Sequence, residues 1–302
     1  MNKLTRTIVW TGWIAILFIA GCKKDRTEPF VKEVYASPAA YLNSRKANEQ
    51  VFTITGPGTA PIVGEQGTRI YQSKDIFTYP DGTPIDYPYV IKLIELYKPY
   101  DMLYYGVFPV SNSVMLTTQG EVRVTAEKDG HPLVLASGST FGVEFPTDSV
   151  MTNITLFLGN ESNGNVNWEN TGQAATMITD STYTDSTFYS WWPDTLGWFN
   201  ADKFSGYTNT CTVSFTSSTD SVETLYKVVY LPEYAGIMQV VGTQVVLPQN
   251  TEMRFIALGM KTDGTLWYFY NQSTTHTFTL DITMEQTDEN ALHQLITTMF
   301  DD

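Results

Sequence analysis

Glu121-Val122-Arg123-Val124-Thr125-Ala126-Glu127 decides the fold class: polar and apolar residues alternate without a break until the turn Lys128-Asp129-Gly130. A period of two sends successive side chains to opposite faces of an extended chain, so one face can be buried while the other stays wet. The same pattern recurs on both sides of this run. Upstream lie Val51-Phe52-Thr53-Ile54-Thr55, a short strand from Thr68 to Tyr71, and Tyr89 to Tyr97, which Pro99 ends. Downstream come Phe141 to Phe145, Ile154 to Leu158, Cys211 to Phe215, Leu225 to Leu231, Thr243 to Leu247, Met253 to Leu258, Leu266 to Tyr270 and Thr277 to Thr283.

Turn residues separate these runs. Asp81-Gly82-Thr83-Pro84 is one such signal, and Lys261-Thr262-Asp263-Gly264-Thr265 reads as a hairpin whose Asp-Gly pair tolerates positive φ angles. Short alternating strands divided by Gly, Pro, Asn and Asp indicate a sandwich or barrel. One helix is expected, at the C-terminus: Thr287-Asp288-Glu289-Asn290 offers capping oxygens and first-turn acids, and Ala291, Leu292, Leu295, Ile296 and Met299 recur at helical spacing. The reading is an all-β chain of two β-sandwich domains, Ig-like or Greek-key in type, with one C-terminal α-helix.

The N-terminus speaks for location. Lys3 and Arg6 precede an uncharged segment from Thr7 to Gly21, and Ile19-Ala20-Gly21-Cys22 closes it. The segment is shorter than the roughly 20 apolar residues that cross a bilayer. A basic start, a short apolar core and small residues before a cut site describe a secretory signal peptide. The last four residues resemble the bacterial lipobox, whose cysteine is acylated and becomes the new N-terminus, so Cys22 is the expected lipidation site. The division follows: 1–21 signal peptide, 22–50 tether with a short helical turn around Ala39 to Arg45, and 51–158 N-terminal sandwich. A polar linker or long loop is expected over 159–186, where Trp168 is the one tryptophan, and a C-terminal β domain with its helix over 187–302.

Composition narrows the partners. The full chain carries a net charge of −14, and loss of Lys3 and Arg6 with the signal peptide would take it to −16. Such a surface repels nucleic acid and anionic headgroups, so lipid must do the anchoring. With Cys22 acylated, only Cys211 remains; its place in an alternating strand marks it as a small buried hydrophobe.

Chemistry is sparse. His131, His276 and His293 show no ligand spacing, and neither a Gly-x-Ser-x-Gly elbow nor a Gly-rich phosphate loop occurs. Asp180, Asp185, Asp194 and Asp202 are read as solvated acids in preference to calcium ligands, and no catalytic residue, metal or cofactor is implied. The strongest local feature is aromatic: Trp191, Trp192 and Trp198 could form a stacking platform for sugar rings, or plug the junction between two packed units. The junction plug is the preferred reading.

Several short stretches carry a resemblance. Gly67-Thr68-Arg69-Ile70, Asp101-Met102, Leu116-Thr117-Thr118-Gln119-Gly120-Glu121 and the strand ending at Ala126 resemble an N-terminal β-sandwich module of uncharacterised envelope lipoproteins of Bacteroidetes-type bacteria. Leu196-Gly197-Trp198-Phe199-Asn200-Ala201-Asp202-Lys203-Phe204 is similar to a Gly-Trp-aromatic-Asn-x-Asp signature that follows that module. Leu247-Pro248 and the Asp-Gly hairpin are similar to their second β domain. The resemblance implies an outer-membrane address and a two-domain plan, and it carries no reaction. Lys23-Lys24-Asp25 differs from the acidic stretch that marks surface export in such proteins, which leaves both faces of the membrane open.

The expected function is therefore that of a membrane-anchored, non-enzymatic structural module or one that binds a protein or glycan. The alternatives are a carbohydrate-binding component of nutrient capture and a hydrolase with an unrecognised site.

Overall fold

Strand pairing organises the chain into a few large sheets. The structure is a computed structural model and describes residues 34–162, 164–180, 186–217, 222 and 224–300. Cys22 and residues 1–21, where a signal peptide is expected, lie outside them. The chain is mostly β, with several sheets, none closed, and three α-helices among the described residues.

The first sheet runs in the order β1 (Gln50–Ile54), β5 (Tyr89–Leu96), β7 (Val114–Lys128), β15 (Gly197–Phe204), β11 (Thr155–Ser162) and β12 (Asn165–Ala174). The short strands β6 (Val110–Ser111) and β8 (His131–Pro132) also pair with β7. A second sheet runs β13 (Thr176–Asp180), β14 (Ser186–Trp191), β10 (Gly142–Thr147), β3 (Arg69–Tyr71) and β2 (Ile62–Val63). β4 (Phe77–Thr78) and β9 (Val134–Leu135) form a separate short pair.

The C-terminal third supplies two more sheets. One runs β19 (Gln244–Pro248), β16 (Thr210–Ser217), β22 (Phe278–Ile282), and the other runs β18 (Gly236–Gln239), β17 (Thr224–Leu231), β20 (Glu252–Met260), β21 (Leu266–Thr274), β23 (Glu285–Thr287).

Alternation within strands sets the layers. On β7, Val122 and Val124 join a cluster with Ile70, Val143, Phe145, Tyr189 and Trp191 of the second sheet. On β5, Ile91 and Leu93 face that cluster, whereas Ile94 and Leu96 face a different one. That other cluster holds the helices α1 (Pro38–Ser44), α2 (Pro99–Tyr105) and α3 (Glu289–Met299), together with Val228, Ile256 and Leu258 of the C-terminal sheet. A third cluster, including Val213, Phe215, Val229, Leu247 and Phe255, lies between the two C-terminal sheets. The central strands of the first sheet are thus covered on both faces, with the helices on one side, and β7 also meets the C-terminal strands directly, where Met115 packs against Gly236 of β18.

Local sequence explains the helices. Pro38 sits at the start of α1, and the Ser37 side chain caps it by accepting from Ala40 N–H at 3.1 Å. Pro99 opens α2, and Gly106 closes it at φ 66°, where a left-handed residue is required. Asp288 caps α3 by accepting from the N–H groups of Asn290 and Ala291, both at 2.9 Å, and Leu292, Ile296 and Met299 are buried. α3 lies where the spacing predicts it. α2 does not follow from alternation, because the pattern of β5 stops at Pro99 and the helix is only seven residues long.

Three expectations are corrected. The tether does not extend to residue 50: Tyr41 and Leu42 of α1 are buried, so the chain is anchored in the core from Pro38. Residues 159–186 are not a loop; most of the stretch is strand, with β11 and β12 paired as a hairpin. β12 reads as polar because it is an edge strand with most side chains in water and Trp168 as its one fully buried anchor. The boundary at 187 also falls inside the N-terminal sheets: β14 pairs with β10, and β15 pairs with both β7 and β11.

Two of the three Asp-Gly turns differ in how they close. Asp129 (φ 52°) and Gly130 (φ 77°) are both left-handed, which closes the tight β7–β8 hairpin. At Asp263-Gly264 only Gly264 is left-handed (φ 75°), and the Asp263 carboxylate accepts from Thr265 N–H at 2.9 Å instead.

Candidate functional site

The three tryptophans do not share a face. Trp191 points into the core between the first two sheets, 5.4 Å and 89° from the Phe199 ring, and its Nε1 donates to Gln173 Oε1 at 3.1 Å. Trp198 lies on the opposite side of the first sheet, among the helical-layer residues. It meets Trp168 edge to face at 6.4 Å and donates from Nε1 to Glu161 Oε2 at 3.2 Å. Trp192 follows Trp191 by one residue and so faces outward, 57% exposed. A platform of all three rings is therefore not assembled: two are core residues of different clusters.

Trp192 does have a setting of its own. Its ring lies over Gly142, where a Cβ would collide with it, and sits 6.2 Å from Tyr71 at 31°. Beside it on the outer face, Tyr71 donates to Glu144 Oε2 at 3.1 Å. Arg69 bonds Asp180 Oδ2 at 2.8 Å and stacks on Phe188 at 4.1 Å. Burial raises the Glu144 carboxyl above its usual range, against the pull of Tyr71 and Arg69. Asp180 pairs with Arg69 on this face, whereas Asp202 is buried in the first sheet; Asp185 lies outside the described residues. No group of metal-ligating side chains occurs among the described residues.

The remaining polar candidates are structural. His293 Nδ1 lies 2.6 Å from the Tyr104 hydroxyl and joins α3 to α2, and His276 stacks on Phe278 at 4.6 Å. Cys211 is a buried free thiol whose pKa burial raises.

Two features escape a linear reading. The first is a set of fully buried polar side chains on the helical side of the first sheet: Glu121 on β7, and Asn200 and Asp202 on β15. The Asn200 amide donates to Asp202 Oδ2 at 2.5 Å, and Gln119 N–H donates to Asp202 Oδ1 at 3.0 Å. Burial pushes the Asp202 carboxyl up to about 8, even though these bonds favour its charged form. Glu121 is raised well above the usual range, first by burial and then by Asp202. Alternation placed Glu121 on a water-facing side; a sheet covered on both faces has no such side.

The second feature is a cleft of about 580 Å³ between β12 of the first sheet and the strands β18 and β19. Val166 and Asn167 form one wall; Met238, Gln239 and Gln244 to Val246 form the other, with Val240 and Val241 in the link between them. β12, β18 and β19 are each the terminal strand of their sheets, so three sheet edges converge there. No ionisable side chain is among the described residues that line it. A neighbouring cavity of about 570 Å³ shares Gly106, Asn165 and Gln239 with it and adds Tyr104, Tyr105 and Tyr226. The only local sequence signal is the absence of charge from Tyr234 to Thr251.

Comparison with known proteins adds no name to this geometry: no protein family, no curated protein and no solved structure matches the chain.

Proposed function

We propose that this chain is a lipid-anchored envelope lipoprotein that acts by binding and not by catalysis, with two β-sandwich units as its scaffold. The cleft among β12, β18 and β19 carries the reading. A catalytic cleft needs an acid, a base or a nucleophile within reach of its ligand. This one presents amides, hydroxyls and valines in a chain of net charge −14, a lining suited to an uncharged partner. Membrane attachment through Cys22 and the outer-membrane address rest on the Ile19-Ala20-Gly21-Cys22 run and the resemblance it accompanies.

Photo-crosslinking in intact cells tests the cleft. A reactive group placed at Val241, which is 84% exposed, should give adducts that the same group at Val63, 54% exposed on the second sheet, does not. Identical adduct patterns would remove the cleft as the contact surface.

A glycan-binding reading has one observation in its favour: the exposed Trp192 ring packs against Gly142 beside Tyr71, with Arg69 and Glu144 on the same face. An exposed ring flanked by charged hydrogen-bonding groups suits a sugar. If Trp192→Ala abolishes retention on a polysaccharide column while a Val166→Lys change in the cleft does not, that face is the binding surface.

A further inference from the structure

We propose that the free edge of β19 takes up an extended, uncharged segment of a partner protein as an added strand. The proposal rests on the cleft being the binding site and adds the chemistry of its occupant.

β19 ends its sheet, so among the described residues one of its two sides carries no strand. The Thr243 carbonyl accepts from Phe215 N–H at 2.7 Å, and the pairing continues with Val245 opposite Val213 and Leu247 opposite Cys211. Backbone groups alternate sides along an antiparallel ladder. Val245 and Leu247 therefore bond toward β16, whereas Gln244 and Val246 turn N–H and C=O toward the open side. A sheet edge in this state is a template for another strand.

Edges are commonly guarded by lysines, bulges or covering loops. Here the chain carries no charge from Tyr234 to Thr251, and Val246 is 53% exposed. Pro248 blocks only the end of the strand. The opposite wall, β12, offers Val166 for apolar contact and Asn167 for hydrogen bonding. A charged segment entering this cleft would lose hydration with no counter-charge to offset it. An uncharged one, rich in β-branched residues, loses little. A second folded copy is a poor fit, because a space of about 580 Å³ between β19 and β12 admits a single extended segment and not another domain. Five residues of β19 offer about 17 Å of edge at the usual rise per residue.

The test is amide hydrogen exchange on the soluble chain, with a capped Thr-Val-Thr-Val-Thr-Val peptide at millimolar concentration as probe. In the free protein Gln244 and Val246 should exchange fast, and Val245 and Leu247 slowly. The peptide should slow Gln244 and Val246 by at least about tenfold, and a Lys-Glu peptide of equal length should not. Val246→Pro removes an N–H that the fold does not use, so it should keep the wild-type melting temperature and lose the peptide's protection of Gln244. Slow exchange of Gln244 and Val246 in the free protein at every concentration overturns the proposal. Protection that appears only as the protein dimerises in sedimentation names a second copy as occupant and overturns it too. If the probe binds, Val166→Lys blocks it and Val246→Pro does not, strand addition falls while the cleft stands as the binding site. If the probe does not bind at all, both fall.

Discussion

Glu121 on β7 and Asn200 on β15 are cross-strand partners, both fully buried, and among the described residues neither Glu121 oxygen nor Asn200 Oδ1 has a hydrogen-bond partner. A buried carboxylate without donors is costly, so the neutral acid is the form that this position favours.

Stability should therefore fall as pH rises. Glu121, Asp202 (about 8) and Asp101 (about 6) all have folded pKa values raised mainly by burial. Each contributes stability that is fully present below the ordinary carboxylate range and is lost as pH climbs toward its folded pKa. While the pH lies between the ordinary carboxylate range and a group's folded pKa, that group changes unfolding free energy by about 1.4 kcal/mol per pH unit. Glu121→Gln should lower that slope by about one proton's worth and stabilise the chain at pH 8. Urea titrations at several pH values measure it; an unchanged slope would mean that Glu121 is ionised in the fold.

Trp198 and Trp192 should separate cleanly in stability. Truncating a buried aromatic costs about 3–5 kcal/mol, whereas surface changes usually stay within about 0.5 kcal/mol. Trp198→Ala should fall in the first range and Trp192→Ala well below it, close to the second. Equal losses in denaturant melts would contradict the burial seen at the two positions.

Gly120 should not tolerate a side chain. Its φ is 112°, and the Tyr97 ring occupies the place a Cβ would take. Gly120→Ala should cost more than about 1 kcal/mol, because strain and overlap act together. Pairing it with Tyr97→Leu separates the two: partial recovery implicates the ring, and no recovery leaves the backbone angle as the cause.

Cys22→Ser should release the protein from membranes or leave it unprocessed. Wild-type levels of palmitate labelling in that variant would refute the acylation site.

Strands were legible where polar and apolar residues alternate. β7 follows from its alternation beyond Glu121, and α3 follows from its cap and apolar spacing, whereas β20 is buried continuously from Phe255 to Met260 and shows no wet face. Domain limits were not legible, because β12 looks like a linker when read alone and becomes a strand through β11 and Trp168. The tryptophans illustrate the same limit. Sequence groups Trp191, Trp192 and Trp198 together, yet strand alternation and a change of sheet send them to two cores and to solvent. The cleft was least visible, since it arises from edges contributed by three sheets whose order no local pattern encodes.

β15 has a further consequence for how the chain assembles as it emerges. It lies between β7 and β11, and among the described residues β11 and β12 join the rest of their sheet through β15. A polypeptide threading out of a ribosome or a translocation pore cannot seal that sheet until Phe204 has appeared. Until then the β11–β12 hairpin hangs free, and the apolar faces of β5 and β7 have no complete cover. A fragment ending near residue 158 should therefore be protease-sensitive, whatever its own strands can do, and the nascent chain stays pliable for the first two-thirds of its passage.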